Sequence, residues 1–68
     1  MSENLLNLLR YDSFGSVQET LHFWLEECSI DEAPDAAELT LWQDILQKRG
    51  GRFAELAERC RVLAEEIR

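Results

Sequence analysis

His22, Cys28 and Cys60 are the only His and Cys side chains of this 68-residue chain, the types that suit soft-metal chemistry. A structural zinc site takes four Cys or His ligands at short spacings such as C-x2-C. One histidine and two widely separated cysteines do not supply that set, so no metal and no cofactor is expected. A Cys–His nucleophilic pair needs a pocket that orients thiol against imidazole, and so short a helical chain rarely builds one. Cys28 and Cys60 both fall on apolar stripes, where a free cysteine behaves as a small hydrophobe. The alternative is a Cys28–Cys60 disulfide or a redox role. His22 lies one residue off its stripe, beside Leu21 and Trp24, and reads as a boundary histidine.

The carboxylates offer the other route to chemistry. Glu26-Glu27, Asp31-Glu32 and Glu65-Glu66 are adjacent pairs at helix ends or in a loop, where both members are solvated. General acid–base work needs two environments that push the pKa values apart. Neither the carboxylates nor the thiols therefore point to an enzyme.

The elements that carry these residues read as helix throughout. Ser2 is a candidate cap for a first helix over about 3–10, with Leu5, Leu6, Leu8 and Leu9 as its apolar stripe. The stretch YDSFGS interrupts it with turn and cap residues. Ser16 and Glu19 have the S-x-x-E spacing of a capping box, and a second helix over about 16–28 follows. Its stripe is Val17, Leu21, Trp24, Leu25 and Cys28, spaced at threes and fours, and Phe14 extends that stripe backwards. Pro34 disfavours helix in the residue before it. Asp35 and Glu38 make a second box, D-x-x-E, so the next helix starts near Ala36, its first turn favoured by the nearby acids.

From there Leu39, Trp42, Leu46, Phe53, Leu56, Cys60, Leu63 and Ile67 keep a three–four register. Gly50-Gly51 interrupts the composition but not the register, which passes through Arg49 without slipping. Arg52 is no N-cap. These two signals favour one helix over about 36–67, with the glycines as a thin point where another segment comes close. Two interior glycines cost about 1 kcal/mol each. The opposing signal is a stop: Lys48 and Arg49 suit the last turn of a helix and Gly50 suits its C′ position. The fold expected is all-α, a helical hairpin or small three-helix arrangement with a long C-terminal helix and coiled-coil-like packing, in a single domain. With a pivot near residue 32, position 50 faces Phe14 and Gly15, and Trp24 and Trp42 sit at one level.

Apolar residues make up 46% of the chain, too many for disorder by composition. A chain this short buries a marginal core, so a partner or a second copy is expected to complete it. The net charge is −7 and uneven. Residues 1–47 hold ten acids against Arg10 alone, whereas 48–68 hold six bases against four acids. Phosphate backbones and anionic membranes repel such a chain, so neither direct nucleic-acid binding nor membrane binding is expected. No stretch reaches the roughly 18 apolar residues of a membrane span, and MSENLLNLLRY lacks the basic and apolar regions of a signal peptide. A cytoplasmic location is expected. Glu55 with Arg59 and Glu58 with Arg61 are within helical reach, so the basic cluster reads as a self-paired face.

The expected function is a small acidic protein-interaction module that binds a partner protein through a helix face. It is of the inhibitor, adaptor or chaperone kind that bacterial and phage genomes encode. The residues expected at a partner or self-association interface are Tyr11, Phe14, Phe23, Trp24, Leu41, Trp42, Gly50, Gly51, Phe53, Leu56, Leu63 and Ile67. Of these, Tyr11, Phe23 and Leu41 point off the main stripes and suit an exposed apolar patch; a homodimer is expected. Two other readings compete. In one, the acids of residues 19–44 mimic phosphates and block a DNA- or RNA-binding protein. In the other, the chain is a structural homo-oligomer subunit.

Overall fold

A computed structural model describes residues 3–29 and 31–67. Helix α1 spans Glu3–Tyr11 and α2 spans Phe14–His22, continued by a wide π-type turn over Phe23–Glu27. Helix α3 spans Ala36–Arg49 and α4 spans Phe53–Glu66. The fold is all-α, and no strand occurs among the described residues. The main packing is between α3 and α4; α1 lies on α3, and α2 lies on α4.

The start of α3 is set by Asp35, whose carboxylate accepts from the Glu38 N–H at 2.8 Å, as its spacing predicts. The start of α2 differs. Ser13, not Ser16, is the N-cap: its backbone is extended (φ −65°, ψ 160°) and its hydroxyl accepts from the Ser16 N–H at 3.4 Å. Ser16 lies inside the first turn and donates to Asp12 Oδ2 at 2.6 Å. The helix therefore begins two residues early and takes Phe14 into its first turn. Beyond His22 the chain widens: the Cys28 N–H reaches the Phe23 carbonyl five residues back, at 2.8 Å. Such a π-turn shifts the helix face, so Trp24 and Leu25 both become partly buried. Ser2, the candidate cap of α1, lies outside the described residues.

The single helix over 36–67 does not form. Gly50 has φ 72° and ψ −168°, and Gly51 has φ 55°. The first is a conformation open essentially to glycine alone, and the second is left-handed. The Gly50 N–H closes α3 on the Leu46 carbonyl at 3.3 Å. α4 then opens with three i→i+3 bonds, from Phe53, Ala54 and Glu55 to the carbonyls of Gly50, Gly51 and Arg52. No side chain caps it. The missing cap at Arg52 is thus real, but a cap is worth only about 1 kcal/mol and burial of the doubled-back helix outweighs it. The register survives the break because both helices turn their apolar stripes to one core. Packing sets the phase, not helical continuity. The molecule extends over 28 × 21 × 18 Å, far short of the ~45 Å of a thirty-residue helix.

The core comprises Leu9 from α1, Val17 and Leu21 from α2, Leu39, Trp42, Ile45 and Leu46 from α3, and Leu56, Ala57, Cys60 and Ala64 from α4. The buried face of α4 includes three small side chains, Ala57, Cys60 and Ala64, and small side chains allow close helix approach. Pro34 is buried as well, anchoring the loop before α3.

Candidate protein-interaction surface

The thiols and the histidine have structural surroundings. Cys60 is fully buried, and burial pushes its thiol up to about 11, against a smaller downward pull from Arg59. At neutral pH it carries no appreciable thiolate, the form that reacts. Cys28 is partly buried and its thiol donates to the Trp24 carbonyl at 3.2 Å, inside the π-turn. Both cysteines are free. His22 is exposed between two carboxylates, with Nδ1 2.5 Å from Glu26 and Nε2 3.2 Å from Glu27. No group of His, Cys, Asp and Glu among the described residues is arranged to hold a metal ion.

The aromatic residues divide into two clusters. At the glycine turn, Phe14 of α2 meets Phe53 of α4 edge-on, with centroids 5.4 Å apart. Arg52 covers the Phe14 ring at 4.0 Å and Arg49 covers Phe53 at 3.8 Å. Arg49 also donates to the Leu9 carbonyl near the end of α1 at 2.9 Å. This clasp ties the α1–α2 corner to the α3–α4 turn. Phe14 does reach the glycine segment, as the hairpin geometry predicts, but it packs on Phe53 and not into a notch. A side chain built on Gly50 or Gly51 would meet nothing within 4 Å. The glycines are there for their backbone angles and not, as the register suggests, for a close approach of another segment. In the second cluster, Trp24 meets Trp42 at 6.3 Å and Phe23 meets Trp24 at 5.3 Å, both edge-on.

The expected interface residues therefore take different places. Trp42 and Leu56 are core, at 0% and 3% exposure, because α4 folds back over α3. A partner docking on this fold cannot meet them. Phe14, Phe53 and Trp24 are partly buried in the two clusters. Tyr11, Phe23, Leu41 and Ile67 are exposed, at 78%, 44%, 42% and 49%. Leu63 is partly buried beside Val62, an exposed residue that the stripe analysis passes over. Val62 sits off the α4 stripe just as Leu41 sits off the α3 stripe, and the reasoning that singles out Leu41 would have found it.

Two grooves gather these apolar residues. The first runs between the end of α1 and α3, encloses about 320 Å³, and has Tyr11, Leu41 and Ile45 in its wall. Arg10, Lys48 and Arg49 ring it, with Asp44 as its single acid, and Asp44 is held by Lys48 at 3.1 Å. The second, also about 320 Å³, lies between the π-turn and α4 and is walled by Leu25, Val62 and Leu63. Its rim is Glu26, Glu58 and Glu66, with Arg59 as its single base.

The cations differ accordingly. Arg59 binds Glu26 at 3.1 Å, and Arg61 binds both Glu58 and Glu65. The Arg61 hydrogen bond holds the Glu58 carboxyl below its ordinary range, and the Arg61 guanidinium is raised by the same contact. Of the two intrahelical pairs expected, Glu58–Arg61 forms, whereas Arg59 turns to Glu26 across the helix interface. Arg10, Arg49 and Arg52, by contrast, meet no carboxylate among the described residues. No protein-family model, no curated protein and no solved structure matches the chain.

Proposed function

We propose that this protein is a non-enzymatic protein-interaction module that docks a partner protein in the groove between α1 and α3. The observation that supports it is the meeting of Tyr11 and Leu41, exposed residues from separate helices, in one groove ringed by three bases. Tyrosine and arginine are the residue types enriched where binding energy concentrates, and a fully desolvated apolar contact inside a polar rim is the usual anatomy. Occupying, bridging or shielding a partner all follow from this mode.

The test is capture of partner from a lysate by wild type and by Leu41→Asp and Tyr11→Asp. Each variant is checked by circular dichroism for unchanged helix content. A hot-spot contact of this kind predicts at least about a tenfold loss of capture. Undiminished capture by both folded variants would remove the groove from the binding site.

A further inference from the structure

The two grooves are complementary to each other. One is apolar with a basic rim, Arg10, Lys48 and Arg49; the other is apolar with an acidic rim, Glu26, Glu58 and Glu66. They share no wall residue, one being built on α3 and the other on α4. We propose that a second copy of the chain docks its π-turn–α4 groove edge onto the α1–α3 groove of the first, so that the protein assembles head to tail. The inference rests on the α1–α3 groove being a docking site and names a second copy as one of its occupants.

Charge favours this occupant over a polyanion. The chain as a whole is at −7, which repels nucleic acid at long range. A copy of the chain carries that same charge, yet it presents carboxylates and leucine-sized apolar groups on one small edge. Val62, exposed on the outer side of α4, is the residue that would enter between Tyr11 and Leu41. Around it, Glu58 and Glu66 lie four residues before and after, on the same face of the helix. They would then face Lys48 and Arg10, with Glu58 exchanging Arg61, and Lys48 exchanging Asp44, for the new contact, while Arg10 meets no carboxylate among the described residues. Like-charged surfaces elsewhere keep other registers apart. A contact between two different patches leaves one of each free at the ends, so it propagates into rings or open chains and does not stop at a two-fold dimer. A standard interface covers about 800 Å² per partner, a sizeable part of the 4450 Å² surface of this molecule. Each groove is smaller than that, so the assembly is weak and salt-sensitive.

Sedimentation equilibrium of the intact chain tests this. Wild type is expected to rise with concentration from 7.9 kDa past twice that mass, and to return toward monomer as salt is raised. Arg10→Glu/Lys48→Glu, which inverts the basic rim, and Val62→Lys/Glu66→Lys, which inverts the acidic one, should each remain monomeric where wild type assembles. Mixed in equal amounts, these two should assemble where neither does alone, because the intact acidic edge of one meets the intact basic groove of the other. Should a double variant lose helix content, the single exposed changes Lys48→Glu and Glu66→Lys should still weaken assembly several-fold. Wild type staying monomeric at high concentration would overturn the proposal, as would either double variant assembling like wild type. Either result would leave the partner-binding reading standing, since that is decided separately by capture with Leu41→Asp.

Discussion

The two arginine-rich regions of this protein use the same side chain in opposite ways. At the glycine turn, Arg49 and Arg52 lie over the rings of Phe53 and Phe14, and Arg49 donates to a backbone carbonyl of α1. On α4, Arg59 and Arg61 reach exposed carboxylates on α4 itself and on the π-turn. The first arrangement covers ring faces and ties all four helices together; the second holds charges that water would solvate almost as well. Contacts of the first kind are worth about 0.5–2 kcal/mol each, more as they are desolvated, whereas exposed ion pairs are worth between nothing and about 1 kcal/mol. Stability should therefore concentrate at the turn, and the α4 face should be free to exchange its pairs for a partner's.

Phe53→Ala is the strongest way to break this contrast. It removes the ring that both Phe14 and Arg49 pack on. Complete burial of a phenylalanine is worth about 3–5 kcal/mol on truncation; Phe53 is only partly buried, so about 2 kcal/mol is expected. For a domain of this size that is a fall in Tm of roughly 10 °C, readable by thermal circular dichroism and little changed by salt. A loss no larger than that of an α4 ion pair would contradict the clasp.

Gly50→Leu comes next and sharpens what the turn is made of. Space is available at Gly50, so the expected cost is not a clash. It is the backbone at φ 72°, ψ −168°, which a leucine adopts only with about 1–3 kcal/mol of strain. The variant should lower Tm. A higher Tm would mean that α3 and α4 fuse into one helix when the glycine is removed, and the monomer would then lengthen measurably in small-angle scattering.

The glycine pair also marks the boundary of what the sequence discloses. The all-α class, the start of α3 at Asp35 and the buried stripes follow from short-range spacing, which a sequence displays, whereas the Trp24–Trp42 meeting follows from a hairpin pivot near residue 32. A helix that doubles back on itself preserves the same three–four stripe as one that runs straight, because both must present that stripe to an apolar core. Periodicity cannot distinguish them, and the signal that does, Lys48 and Arg49 ahead of Gly50, is local and competes with the register. The cap of α2 is ambiguous for a similar reason: Ser13 and Ser16 are equally good residue types, and starting at Ser13 takes Phe14, which packs on Phe53, into the first turn. Tyr11 and Leu41 were legible as exposed, but their sharing a groove with Arg10 and Lys48 depends on α1 crossing α3, a long-range placement with no spacing signature.

The smallest effect should come from acid titration of the α4 pairs. Arg61 holds the Glu58 carboxyl below its ordinary range, chiefly through their hydrogen bond. A carboxyl lowered on folding contributes stability above its unfolded pKa and loses it as pH falls through the lowered value. Wild type should therefore lose slightly more stability than Glu58→Gln between neutral pH and the acid side of the carboxylate range, and raised salt should shrink the difference because the pair is exposed. Urea midpoints measured along that pH series decide the matter. If Glu58→Gln removed as much stability at neutral pH as Phe53→Ala, the division between a turn that holds the fold and an α4 face that leaves its charges available would not stand. If the difference instead vanishes in salt while the Phe53→Ala loss persists, the α4 carboxylates can trade Arg61 for an incoming base with little cost to the fold, as docking on that face requires.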